Sequence, residues 1–156
     1  MSMLSKEEIS KHYLMSSNLF ASDQPYLIDT LLGSCVAVCL WDLNLKIGGV
    51  NHYMLPFWNG EGLASPKYGN IAIEKLLEKM LSLGCRQSSL VAKVFGGAHQ
   101  FEQGDLRIQV GDRNIHVAQS MLDDLRIPIV SSDLGGEKGG KIRFYTITGE
   151  VWMKYL

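Results

Sequence analysis

Cysteine is sparse in this chain, with three residues at 35, 39 and 85, an odd number without paired spacing. That argues against a disulfide-stapled scaffold and points to a reducing compartment, the cytoplasm. Excess charge of either sign is missing too. Fifteen Lys and Arg stand against sixteen Asp and Glu, for a formal net charge of −1. With no basic run, the sequence offers no footprint for nucleic acid or an anionic lipid surface. No apolar stretch approaches the length of a membrane span, and residues 1–10 are too polar for a signal peptide, so membrane insertion is not expected. The four histidines (12, 52, 99 and 116) and three cysteines show neither CxxC nor HExxH spacing, so no metal is expected. Gly96-Gly97 and Gly135-Gly136 match neither G-x-G-x-x-G nor a P-loop, which argues against a nucleotide. Repeats, linkers and low-complexity tracts are also lacking.

What is present is an ordinary globular composition: 156 residues, 46% hydrophobic and 20% charged. That length suits one domain over residues 1–156 with a sizeable core. Its most informative stretch is Gly33-Ser34-Cys35-Val36-Ala37-Val38-Cys39-Leu40-Trp41-Asp42, followed by Gly48-Gly49-Val50-Asn51-His52-Tyr53-Met54-Leu55-Pro56. Two apolar, β-favouring runs around a short polar break predict a hairpin. With a turn over 43–46, Asp42 faces Ile47, Ala37 faces His52, and Cys35 is the diagonal neighbour of His52 on the same face. Diagonal positions lie roughly 7–8 Å apart, within reach of the two side chains.

The rest of the chain reads as alternating strands and two helices. Ser5 and Glu8 form a candidate capping box, and strands are expected over 12–15, 19–21 and 26–30. Residues 57–66, rich in Gly, Asn and Ser, form a surface loop, with Trp58 as its anchor or as a wall for substrate. Residues 67–83 are the best helix, with Ile73, Leu76, Leu77, Met80 and Leu81 as its stripe and Gly84 at C′. A strand over 89–95 runs into Gly96-Gly97-Ala98. Gln103-Gly104-Asp105 reads as a turn, and 106–110 as a strand. Asp112 or Asn114 then caps a helix carrying Ile115, Ala118, Met121, Leu122 and Leu125 inward. A strand over 127–130, a glycine-rich loop over 135–140, and a hairpin of 141–147 with 151–155 complete the chain. Strands outnumber helices and cluster in hairpins, which gives an α+β fold with antiparallel or mixed sheets covered by two main helices.

A cysteine opening a strand after a small-residue turn, with a histidine within reach, suits acyl chemistry. The imidazole takes the thiol proton or, as imidazolium, lowers the thiol pKa. The Gly33-Ser34 turn frees backbone N–H groups to hold an oxyanion. For the two residues taken alone, the plainer reading of a buried Cys and a structural His is the commoner case. Cys39, on the same strand face, reads as packing or as a resolving thiol, Cys85 as buried filler, and His99 as a solvated loop histidine or one that approaches the site.

Further motifs narrow the choice. Thr30-Leu31-Leu32-Gly33-Ser34-Cys35-Val36, Asn51-His52-Tyr53-Met54-Leu55-Pro56, Ala92-Lys93-Val94-Phe95-Gly96-Gly97-Ala98, Gly111-Asp112-Arg113-Asn114, Asp133-Leu134-Gly135-Gly136 and Thr148-Gly149-Glu150-Val151 occur in order. This set closely resembles the CheD family of chemoreceptor glutamine deamidases, from about residue 12 to the end. The resemblance implies a β-sandwich flanked by helices, similar to toxin-type cysteine deamidases. It also implies Cys35 as nucleophile and His52 as base. The third member, usually a threonine six residues before the cysteine, falls here on Asp29, with Thr30 one place later; both are candidates. Gly33 and Ser34 are implied for the oxyanion turn, and Gly96, Gly97 and Asn51 as substrate-loop candidates.

The function so implied is hydrolysis of receptor glutamine side chains to glutamate, with glutamyl methyl esters as possible further substrates and no cofactor. The implied partners are the receptor's cytoplasmic helices and a CheC-type phosphatase. Two other classes stay open: a non-catalytic module regulating that phosphatase, favoured by Asp29 in the threonine position, and a transglutaminase-like acyl transferase.

Overall fold

A computed structural model describes residues 9–99 and 106–156, the side chains of 106–109 excepted. Among the described residues nine strands form two mixed sheets, accompanied by two α-helices. In chain order they are β1 (Ser10–Tyr13), β2 (Asn18–Ser22), β3 (Tyr26–Leu32), β4 (Val36–Asp42), β5 (Ile47–His52), α1 (Gly69–Ser82), β6 (Leu90–Gly96), α2 (Leu106–Asp124), β7 (Ile129–Leu134), β8 (Gly140–Tyr145) and β9 (Val151–Tyr155). The four-stranded sheet runs β1-β3-β8-β9 and the five-stranded sheet β2-β5-β4-β6-β7. Two pairings, β1 with β3 and β6 with β7, are parallel.

Alternation along β4 sets the layers. Val36, Val38 and Leu40 join Ile73, Leu76, Met80, Val117, Ala118 and Leu122, so the helices cover one face of the five-stranded sheet. Ala37 and Cys39 turn the other way and pack with Ile28, Leu32, Ile142 and Phe144 of the four-stranded sheet. A strand buried on both faces reads as a near-continuous apolar run, as β4 does. The expected α+β sandwich with helices alongside is the observed architecture.

The hairpin has the expected register. Asp42 pairs with Ile47 and the ladder continues to Cys39 with Val50, then resumes as a bridge between Val36 and Tyr53. This places Ala37 opposite His52. Asp42 Oδ1 accepts from the N–H groups of Asn44 and Leu45, which closes the turn at 43–46.

Several expectations need correction. The helix expected from residue 67 begins at Gly69, because the Lys67 carbonyl is taken by the N–H groups of Met54 and Leu55 and Tyr68 is extended. Of its stripe, Leu81 is exposed and Ala72 is buried instead. Residues 106–110 are the start of α2, not a strand. The helical spacing Val110, Asn114, Val117, Ala118, Met121, Leu122 continues unbroken, and it outweighs a five-residue alternation. Asp112 and Asn114 therefore lie inside the helix and cap nothing. Gly111 is where α2 crosses the Gly97-Ala98 backbone; a Cβ there would sit 2.8 Å from Gly97 O. The strand expected over 127–130 is Ile129–Leu134, an edge strand whose first four residues are exposed. The Ser5/Glu8 capping box and the turn at 103–105 fall outside the described residues.

Candidate active site

Cys35 sits between β3 and β4, at the end of the sandwich where the two sheets' strands change over. Gly33, Ser34 and Cys35 form one wall of an open cleft of about 520 Å³, completed by Met54, Leu55, Lys67 and Val110. Lys67 is the one charged side chain among these lining residues. Cys35 is half-buried, whereas Cys39 and Cys85 are buried.

The turn that presents Cys35 is fastened from three sides. Gly33 O accepts from Ala98 N–H at 2.9 Å, Ser34 O from Asn114 Nδ2 at 3.0 Å, and Cys35 O from Gly97 N–H at 2.9 Å. Gly96 takes a φ of +107°, and a Cβ at that position would lie 2.2 Å from Cys35 O. Only glycine allows this approach and this backbone conformation together. The two substrate-loop candidates Gly96 and Gly97 are thus buried supports of the turn that carries Cys35. Asn51 is also buried; its Oδ1 accepts the Val38 N–H at 2.8 Å, where the β4–β5 ladder is interrupted. Trp58 anchors its loop through Asn70 and Glu61.

His52 ends β5, 5% exposed, on the face it shares with Ala37 and Cys35. Thr30 reaches it from the opposite sheet: Thr30 Oγ1 is 2.7 Å from His52 Nδ1. The same hydroxyl donates to Leu14 O at 2.8 Å. A hydroxyl has one proton, and a carbonyl only accepts. The contact with the ring is therefore Nδ1–H donating to Oγ1, which leaves Nε2 as the free lone pair.

Asp29 points the other way. Its carboxylate receives Arg143 Nε at 2.7 Å and Nη2 at 2.9 Å, with Lys141 Nζ at 3.7 Å, on the outer face of the four-stranded sheet. The bidentate Arg143 bond holds the Asp29 pKa below the usual carboxyl range. Of the two candidates for third member, Thr30 faces the imidazole and Asp29 faces away.

Burial sets the resting charges. It pushes the His52 pKa down to about 4 and the Cys35 thiol up, with Cys35's own backbone N–H pulling the thiol the other way. At neutral pH both groups are neutral, Cys35 as the thiol and His52 as an imidazole with a free lone pair. The alternative of a standing imidazolium–thiolate pair is disfavoured. Cys39 is four residues along the strand from Cys35, roughly 13 Å at 3.3 Å per residue. That exceeds disulfide reach, so it is no resolving thiol. Burial likewise raises its pKa and that of Cys85, the latter to about 12. Among the described residues no cluster of His, Cys, Asp and Glu forms a metal cage, and no helix is long and apolar enough to cross a membrane.

Sequence reasoning missed two members of this neighbourhood. Tyr53, fully buried, donates its hydroxyl to Asn114 O at 2.5 Å, and Asn114 Nδ2 also donates to Met54 O at 3.0 Å. The sequence signals were the Asn51-His52-Tyr53 and Gly111-Asp112-Arg113-Asn114 motifs, the latter with Asp112 or Asn114 as the expected cap.

Comparison with known proteins places the chain in a family. A family model described as CheD chemotactic sensory transduction matches residues 54–155. The chain is 51% identical to a probable chemoreceptor glutamine deamidase CheD of Sulfurimonas denitrificans over 96% of both proteins. It is 50% identical to the protein of that name from Trichlorobacter lovleyi, over 92% of this chain and 89% of the relative. To the probable chemoreceptor glutamine deamidase CheD 1 of Anaeromyxobacter dehalogenans it is 40% identical, over 92% of this chain and 84% of the relative.

Proposed function

We propose a function from one established premise: the chain belongs to the CheD family. Like the activity in its relatives' names, its own is hydrolysis of chemoreceptor glutamine side chains to glutamate, carried out by Cys35 and His52. The observation that carries this reading is the Thr30–His52 hydrogen bond behind the Cys35 turn, which leaves Nε2 free as a base.

In the proposed reaction the glutamine carboxamide enters the cleft. As Cys35 Sγ bonds to the carboxamide carbon, its proton passes to His52 Nε2. The carbonyl π pair moves to oxygen, and the backbone N–H of Cys35, with that of Ser34, holds the oxyanion. The imidazolium, formed only transiently, returns the proton to the departing nitrogen, and ammonia leaves. Water then attacks the thioester, giving its proton to His52, and glutamate and the thiol are restored. The same steps fit a glutamyl methyl ester, with methanol in place of ammonia. The substrate is a receptor's cytoplasmic helix, which puts the enzyme in the cytoplasm, and a CheC-type phosphatase is a partner implied by the resemblance. Thr30 on His52 supports turnover over a purely regulatory module, since Asp29 was the main ground for the latter.

The test is intact-mass analysis of a receptor cytoplasmic fragment incubated with the protein, with ammonia measured in parallel. About one mass unit gained per glutamine, with equal ammonia and no uptake of an added amine, is the expected result. Ammonia with amine incorporation would make the protein a transferase, and no ammonia would leave a binding module.

A further inference from the structure

The three successive carbonyls of the nucleophile turn are held by Ala98, Asn114 and Gly97, and the middle one is the one held by a side chain. No cis peptide bond is present among the described residues. In a trans peptide the C=O and N–H point to opposite sides of one rigid plane. Holding Ser34 O toward α2 therefore turns Cys35 N–H toward the opposite side. The neighbouring plane is fixed as well, because Val36 N–H is bound to Tyr53 O at 3.1 Å.

Asn114 is fully buried in α2, and its two bonds join both halves of the site. One Nδ2 bond goes to Ser34 O, next to the nucleophile, and the other to Met54 O, two residues beyond His52. Its Oδ1 has no partner among the described residues. Rotating the amide by half a turn would set Oδ1 against two carbonyl oxygens, so the orientation is determined by the network.

We propose that Asn114 is the positioning residue of the oxyanion site, holding the Ser34 carbonyl so that the Cys35 N–H faces the carbon under attack. This rests on the reading of Cys35 as nucleophile. It assigns Asn114 no contact with substrate.

The test separates reactions that build an oxyanion from one that does not. Wild type, Asn114→Ala and Asn114→Asp are compared in three assays, with thermal unfolding as the control for folding. Iodoacetamide alkylates the thiol by displacement at a saturated carbon and forms no oxyanion. A peptide bearing an aldehyde in place of the glutamine carboxamide adds Cys35 reversibly: an S–C bond forms, and the carbonyl oxygen takes up the thiol proton. Deamidation supplies kcat and KM.

The expected result is alkylation of Cys35 within about threefold of wild type with the same pH profile. Aldehyde adduct formation should weaken on the order of 100-fold in Asn114→Ala, with kcat reduced about 10²–10³-fold at unchanged KM. Equal losses in alkylation and adduct formation, or no loss in either, would overturn the proposal. So would failure of both variants to fold, which would assign Asn114 to the fold alone. If wild type forms the adduct yet releases no ammonia from any receptor fragment, the deamidase reading fails while the contrast at Asn114 stands.

Discussion

Thr30 Oγ1 and His52 Nδ1 meet at 2.7 Å across the gap between the two sheets, and the hydroxyl's own proton is committed to Leu14 O. The ring is therefore held in one tautomer by a neutral neighbour. No carboxylate is needed to orient it, and among the described residues none pairs with this buried, neutral imidazole.

Thr30→Val keeps the shape and removes the hydroxyl. We expect kcat to fall about 10–100-fold in the receptor-fragment assay, because Nδ1 loses its acceptor and the other tautomer becomes available. Thr30→Ser should retain most activity, within about fivefold. Equal, small effects for Val and Ser would show that the hydroxyl does not orient the ring.

Asp29→Asn should leave kcat and KM within about threefold. Its ion pair lies on the outer face, where a partly exposed bridge contributes about 0–1 kcal/mol. Arg143 depresses the Asp29 pKa in the folded state, so this stabilisation is present above the ordinary carboxyl pKa and lost as pH falls through the lowered value. Urea unfolding at pH 7 and pH 3 should show the gap between wild type and variant shrinking at the lower pH. A loss of kcat matching that of Thr30→Val would return Asp29 to the site.

The neutral resting pair gives two pH signatures. Iodoacetamide should label Cys35 before Cys39 or Cys85, with a rate still climbing above the ordinary thiol pKa and no acidic plateau; peptide mapping reads this directly. Stability should fall on acidification between about pH 6.5 and 4. Over that range the unfolded chain binds a proton that buried His52 refuses, a difference of roughly 3 kcal/mol. His52→Gln should flatten that part of the curve, and an unchanged slope would mean the imidazole is not held neutral.

Gly96→Ala places a methyl 2.2 Å from Cys35 O at a left-handed φ. The carbonyl must move, so deamidation should drop at least about tenfold, with a lowered melting temperature. By contrast Gly60→Ala, in open space on the surface loop, should lose only the stability set by its own positive φ, about 1 kcal/mol, and keep its kcat.

Much of this protein is local and could be read without coordinates. Period-2 alternation and the Asp42–Ile47 turn set the hairpin register, and so the placement of Cys35 near His52. Spacing of Ile73, Leu76, Leu77 and Met80 defined α1. These features depend on residues close in sequence, so pattern suffices. The choice between Asp29 and Thr30 did not. It turns on which face of β3 meets the second sheet, a contact between strands more than twenty residues apart. Asp29 lies outside because Ile28, Thr30 and Leu32 face inward together. Asn114 was hidden for a similar reason. Its bonds to Ser34 and Met54 span 80 and 60 residues, and no local pattern marks a helix-interior asparagine as the support of a distant turn. The sequence by itself determined most of the strands, α1 and the shared face of Cys35 and His52, but not the first turns of α2. Tertiary packing alone decided what orients that pair, because side chains on different sheets and a helix come together only when the sandwich closes.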